Sequence, residues 1–487
     1  METKHNRMII RTAMASRLLL ISLIVLWRSL LRPYDTSASI NPTCLSSSSS
    51  SSPPILFPRI ARAIEDSIVW DSVYFVRIAQ CGYEYEQSYA FFPLLPLCIS
   101  LFSHTVFAPL IPVIGYRAVL GLSGYVINNI AFVLAASYLY KLSVIILKDR
   151  EGALRATILF CFNPASIFYS SIYTESLYSL FSIGGLYHLM SGADHFATLL
   201  LALSGATRSN GVINAGYLCY QTMHKAYDAL FCKRHFYLTV QVLTAGALHC
   251  LCILVPFIAF QAYGYWNICL GHIPVETRPW CTARFPLLYN YIQSHYWGVG
   301  FLRYFQVKQL PNFLLASPIL SLALCSIVHY VNLRPEVYIS LGFRGSPENK
   351  NLVPTTFPTV TDKRADSGYT LAAPSSGIEQ EDQILRRRKR AIKGYVPVTL
   401  PVENEFSDKL VLPFILHLGF MAATTFFVMH VQVATRFLSA SPPLYWFASY
   451  LMVSPGTGKR WGYLIWAYCA AYIFLGSLLF ANFYPFT

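Results

Sequence analysis

A chain of 487 residues with 55% hydrophobic and 12% charged side chains carries about half the charge of an ordinary soluble domain. With a mean hydropathy of +0.45, that excludes a soluble enzyme and indicates a polytopic membrane protein. The formal charge of +14 is concentrated at Lys4, Arg7, Arg11 and Arg17 and in "RRRKRAIK", residues 386–393, the bias of segments held in the cytosol rather than of a nucleic-acid surface, so no nucleic acid partner is expected.

In chain order, "LLLISLIVLW" (18–27) follows basic residues and precedes "SAS" (37–39). It reads as a signal peptide or a signal anchor; the anchor, extending to about Leu31, is favoured. A serine run ending at Pro53-Pro54 is a flexible insert. Residues 33–92 then form a large first luminal loop. Pro93, Pro96, Pro109 and Pro112 make 92–113 a broken, re-entrant or interfacial helix rather than a plain span. That choice also leaves Lys141, Lys148, Arg150 and Arg155 in the cytosol.

Spans are expected to alternate at 116–140, 153–167, 175–190, 196–208, 211–223, 236–262, 311–332, 410–431, 440–454 and 461–480. With the anchor, this gives an all-α polytopic fold of about eleven transmembrane helices. Several are short enough to bring polar residues into the bilayer around a cavity. Residues 334–408, polar and rich in Pro, Ser, Lys and Arg, form a cytosolic loop that is largely disordered. Cys269 and Cys281 share a luminal loop at 263–310, where a disulfide either forms or does not. No His/Cys ligand spacing supports a metal site. No GxxxxGKS, GxGxxG, HExxH or GxSxG pattern occurs, which removes support for ATP-driven transport, Rossmann redox chemistry and the usual hydrolases.

The topology gathers several polar clusters on the luminal side: 69–92, 163–176, 207–211, 263–310 and 430–437. Asp71 follows Trp70 and either caps a helix or acts as a base. Glu84, Glu86, Tyr89 and Phe92 favour the second reading, since aromatic walls desolvate a carboxylate and suit a sugar ring. Glu175, at the mouth of two short spans, either favours a helix dipole or marks a site. Arg208 in "TRSNG" and Arg436 in "HVQVATRF" either neutralise such an acid or bind a phosphate. His430 is a structural histidine or a weaker phosphate ligand. Trp266, Trp280, Arg284 and Trp297 are placed to hold an acceptor or cover the cleft.

"WDSVYFVRIAQCGYEYEQSYAFFPLLPL" (70–97), with "FNPASIFYSSIYTESLYSLFS" (162–182), "GATRSNGVINAGYL" (205–218), the 279–318 block, "MHVQVATRFLSASPPLYWF" (429–447) and "NFYPFT" (482–487), resembles the GPI mannosyltransferase 2 family. The resemblance covers nearly the whole chain and weakens at the serine run and at 334–408. It implies a GT-C-like glycosyltransferase (family 76) of the endoplasmic reticulum membrane, with a luminal site, no cofactor and no metal. The donor implied is dolichyl-phosphate-mannose, and the acceptor a GPI precursor lipid that receives its second mannose in α1,6 linkage by inversion. It further implies Asp71 as base, Arg208, Arg436 and His430 at the donor phosphate, and Trp70, Glu84, Glu86, Tyr89, Phe92, Glu175, Trp280 and Arg284 around the substrates. Many GT-C enzymes carry two acids in this loop, where Trp70-Asp71-Ser72 has one. An accessory membrane subunit is compatible. Another acceptor for the same donor, or a non-catalytic lipid transporter, are the alternatives.

Overall fold

A computed structural model describes residues 2–34, 44–45, 55–270, 278–343, 404–456 and 458–484. The serine run, the basic run at 386–393 and the rest of 344–403 lie outside them. Among the described residues every regular element is helical.

Six helices are long and apolar enough to cross a membrane: Lys4–Leu30, Tyr116–Leu147, Phe236–Cys269, Val307–Leu333, Leu410–Phe427 and Gly458–Ala481. The proline-rich segment is a pair, Leu94–His104 and Ala108–Ile114, bent by 68°, as its prolines require. Counting that pair as one gives up to seven candidate spans by length and composition among the described residues, in keeping with an all-α polytopic membrane protein; the expected eleven also counts shorter helices. The difference lies in Arg150–Cys161, Glu175–Met190, Asp194–Thr207, Ala215–Tyr227 and Pro442–Val453, which have 12, 16, 14, 13 and 12 residues. All fall below the roughly 20 residues that a crossing needs. Apolar composition alone does not distinguish a short crossing from a short helix packed inside the protein.

Other boundaries shift as well. The helix that begins at Phe236 continues to Cys269, so the expected 263–310 loop opens in helix, and it contains a second helix at Leu288–His295. The expected 334–408 loop opens with a short helix, Pro335–Ile339, and its end belongs to the helix Asn404–Phe427. The first loop holds Pro58–Asp66 and Ser72–Cys81. Cys269 is bonded to Cys281, and a second disulfide, Cys44–Cys81, was not anticipated. Its cysteines lie on either side of a low-complexity stretch that hides any spacing rule.

The N-terminal helix is built into the core. It buries Ile9, Ala13 and Leu20 completely and inserts Arg17, which is 3% exposed. The guanidinium donates to the Cys161 and Ser166 carbonyls at 3.1 and 2.9 Å and to the Ser166 and Ser170 hydroxyls at 3.2 and 3.0 Å. It also lies 3.8 Å from the Phe132 ring centroid. Cys161 ends one helix and Ser166 begins a short one, Ser166–Ser170, so carbonyls at these helix ends need outside donors, and Arg17 provides them. Arg17→Leu should therefore lower the unfolding midpoint of the detergent-solubilised protein, at on the order of 1–3 kcal/mol for each carbonyl left without a donor. Arg17→Lys should fall between the two. A midpoint unchanged in Arg17→Leu would show that the break is held by other means.

Candidate active site

Asp71 sits at the N-terminus of the helix Ser72–Cys81, but its side chain makes no capping hydrogen bond. The capping explanation is thereby removed. The preceding Trp70 has φ +54°, a left-handed backbone that costs a non-glycine residue on the order of 1–3 kcal/mol. Two contacts hold it there: the indole N–H donates to the Phe480 carbonyl at 3.1 Å, and the ring packs on Phe483 at 5.7 Å. The Asp71 N–H donates to the Tyr173 hydroxyl at 3.1 Å. The carboxylate is thus left to face a cavity of about 350 Å³.

Two helix ends supply the cationic wall of that cavity and a third supplies its counter-ion. Glu175 begins the helix Glu175–Met190, Arg208 follows the helix Asp194–Thr207, and Arg436 lies in the short helix Ala434–Leu438. Glu175 is 1% exposed and accepts from Arg208 Nη1 at 2.8 Å and from Arg436 Nε at 2.9 Å, both at Oε1. Arg436 Nη1 lies 3.5 Å from Asp71 Oδ2. The Arg436 guanidinium is further confined over the Phe168 and Tyr173 rings, at 4.4 and 4.7 Å. Arg208 is brought in by a tight turn, because a Cβ at Gly211 would lie 2.4 Å from the backbone of Ser204 and Gly205. Glycine alone permits that approach.

Two acids and two guanidinium groups leave the cluster neutral. Asp71 is 39% exposed, but the space it faces is the cavity rather than bulk water. Burial accordingly raises its carboxyl above the ordinary range, opposed by the Arg436 charge and reinforced by that of Glu175.

The expected site residues separate into two groups. Asp71, Phe92, Arg208, His430 and Arg436 line the cavity. Glu175 does not; it lies behind the arginines as their counter-ion, correcting its placement against substrate. Trp70 faces the C-terminal residues and acts on Asp71 only through the backbone. Glu84 is corrected too: it accepts from Arg77 Nε at 2.8 Å and from the Leu45 N–H at 2.6 Å. Glu86 accepts from Trp280 Nε1 and the Tyr296 hydroxyl, both at 2.7 Å, so Glu86 and Trp280 fasten the 278–309 segment to the first loop. Tyr89 is 3% exposed in the same aromatic cluster and accepts from Asn267 at 3.1 Å. Arg284 is exposed beside Phe285. Cys44, Cys81 and Glu84 converge, but the sulfurs are bonded together and the carboxylate is occupied, so they form no ligand set.

Residues that the sequence reading did not assign to the site complete it, among them Thr174, Asn210, Tyr289, Gln293 and Gln432. They are neutral and stand within the quoted blocks; nothing in their spacing marks them. Glu175→Gln should destabilise the protein by about 3–5 kcal/mol, because it takes the charge partner from Arg208 and leaves Arg436 with Asp71 alone. Thermal denaturation in detergent measures this, and a wild-type midpoint would mean that the arginines are neutralised by other groups.

The family described as Mannosyltransferase (PIG-V) matches residues 5–487. The chain is 28% identical over 471 residues to the Homo sapiens protein named GPI alpha-1,6-mannosyltransferase 2, covering 91% of this chain and 83% of that protein. It is 30% identical over 404 residues to the Cricetulus griseus protein of the same name, covering 79% and 72%. To the Drosophila melanogaster GPI mannosyltransferase 2 it is 29% identical over 456 residues, covering 86% of each. No solved structure matches the chain. A match running from residue 5 to the last residue, through every break that carries an ionic side chain of the cavity, places this chain in the PIG-V mannosyltransferase family.

Proposed function

We propose that this protein transfers a mannosyl group from dolichyl-phosphate-mannose to the 6-hydroxyl of the first mannose on a GPI precursor. The observation that carries this reading is Asp71 facing a cavity 3.5 Å from Arg436, while a buried Glu175 fixes both Arg436 and Arg208. The relatives' names supply the α1,6 linkage and the GPI acceptor. The donor and the GT-C likeness come from the sequence resemblance.

The chemistry follows from the donor. Its sugar is β-linked to phosphate, so an α product requires inversion in one displacement. As the acceptor oxygen bonds to C1, its proton passes to Asp71. The C1–O bond to phosphate breaks, and its electron pair leaves on dolichyl phosphate. Asp71 loses one negative charge while the phosphate gains one. Arg436, within reach of Asp71, therefore faces a charge that moves rather than one that appears. Guanidinium groups already oriented by Glu175 need no reorganisation to receive it.

Two further features support the reading. An apolar cavity of about 590 Å³ includes Thr435 in its lining, next in sequence to Arg436, and suits a polyprenyl chain. The 55–92 and 278–309 segments around the site each contain one cysteine of a disulfide, Cys81 bonded to Cys44 and Cys281 bonded to Cys269, which favours an oxidising lumen such as that of the endoplasmic reticulum.

Asp71→Asn should reduce transfer by about 10²–10⁴-fold, the range expected for loss of a positioned base. Microsomes from cells lacking second-mannose transfer, supplied with labelled donor and a one-mannose GPI lipid, measure it. Because the active form is the carboxylate, wild-type kcat/KM should fall as the pH drops through the Asp71 pKa, with an acid limb above the ordinary carboxylate range. Transfer by Asp71→Asn at the wild-type rate would remove the base assignment. Wild-type protein that uses the donor only on other acceptors would overturn the acceptor.

A further inference from the structure

We infer that the wall of the cavity formed by His430, Gln432, Gln293 and Trp297 is a neutral hexose subsite that reads the ring hydroxyls of the acceptor sugar. The inference rests on the proposed function and names the part of the site that selects the acceptor.

Hydrogen-bond logic fixes what each group offers. His430 Nε2 lies 2.7 Å from the Trp297 carbonyl. A carbonyl oxygen only accepts, so Nε2 donates and Nδ1 is the ring nitrogen left for a ligand. The ring is stacked on Tyr304 at 4.6 Å and 24°. Nδ1 has no partner among the described residues, and the residue lines the cavity. With Nε2 engaged on the backbone, Nδ1 is assigned here to a sugar hydroxyl, which can give or take a hydrogen bond, in place of the expected phosphate.

Gln432 is fixed by a relay of donors. The Asn312 amide donates to the Tyr304 hydroxyl and to Gln309 Oε1, both at 2.7 Å. The Tyr304 proton is then directed to Gln432 Oε1, at 3.1 Å. Gln432 Oε1 thus accepts one hydrogen bond and keeps a second lone pair, while its NH2 group has no partner among the described residues. The side chain of Gln293 is likewise uncommitted among them. Trp297 adds an aromatic face in the same lining.

A ring nitrogen and two side-chain amides beside an indole match a hexose, whose hydroxyls both give and take hydrogen bonds and whose C–H face packs on rings. The arrangement is built in advance of any ligand. The Gly300 and Leu302 N–H groups donate to the Val428 and Phe427 carbonyls at 3.1 and 2.7 Å, locking the 297–304 turn to the segment that carries His430 and Gln432. No ionic side chain stands in this group of four. The charged wall of Asp71, Arg208 and Arg436 belongs to the reacting centre and the phosphate.

The test uses full-length protein in microsomes, dolichyl-phosphate-mannose, and one-mannose acceptor lipids whose mannose lacks the 2-, 3- or 4-hydroxyl. Wild type should lose about tenfold in kcat/KM on at least one deoxy acceptor, the loss of roughly one hydrogen bond. His430→Ala and Gln432→Ala should raise the acceptor KM about tenfold and erase discrimination against that analogue, with the donor KM unmoved. The ratio between parent and deoxy acceptor is internal to each variant, so a smaller folded fraction does not alter it. Variants that discriminate as wild type does, or whose donor KM rises instead, overturn the subsite while transfer by wild type stands. Absence of transfer by wild type to any one-mannose acceptor overturns the function itself.

Discussion

A single buried carboxylate organises this site. Glu175 Oε1 receives both Arg208 and Arg436 at a position closed to water, where an acid without a partner would be costly. The two cations justify the acid's burial, and the acid fixes the cations. Three segments far apart in sequence must meet for this to occur, at residues 173–175, 208–211 and 434–436. Each is a place where a helix has been interrupted. The short helices are therefore a consequence of the ionic cluster: uninterrupted spans would have no backbone breaks at which to turn these side chains inward.

Breaks inside an apolar protein leave backbone groups that neither lipid nor water can satisfy. The long helix Tyr116–Leu147 answers this with two adjacent asparagines. Asn128 donates to the Ser171 and Tyr173 carbonyls at 2.6 and 2.9 Å, and Asn129 to Ser170 at 3.1 Å. Arg17 does the same for the preceding stretch from the other side. The loop that delivers Tyr173 and Glu175 is thus held by neutral amides and by one cation without a carboxylate. The N-terminal helix and the Tyr116–Leu147 helix thereby become supports of the site although neither carries its ionic groups.

Much of this was legible in the sequence, and the legible part has a common cause. Charge in an apolar chain is conspicuous, so Asp71, Arg208 and Arg436 were picked out together, and the proline spacing marked the bent segment at 94–114. What stayed hidden depends on direction and partner. Glu84 and Glu86 stand close to Asp71 in the chain, yet the helix Ser72–Cys81 carries them away to Arg77 and to Trp280. Glu175 was recognised as costly, but spacing does not reveal whether an acid faces a substrate or the arginines that do. Gln293, Gln432 and Asn210 carry no charge, and a lone amide in a membrane protein has many structural uses. Hydropathy likewise measures composition over a window and is indifferent to whether a short apolar helix faces lipid or another helix.

The division of the cavity into an ionic wall and a neutral one has a physical rationale in the displacement itself. The acceptor hydroxyl must be brought to Asp71 without adding a charge that competes for Arg436, because any further acid there would weaken the guanidinium's pull on the departing phosphate. Further cations on the acceptor side would lower the basicity of Asp71 and oppose proton uptake. Amides and an indole avoid both effects while still orienting a polyol. The ionic contacts among Asp71, Arg436, Arg208 and Glu175 already balance, so the cluster can pass one negative charge from carboxylate to phosphate with its total unchanged. A neutral acceptor wall leaves that balance undisturbed.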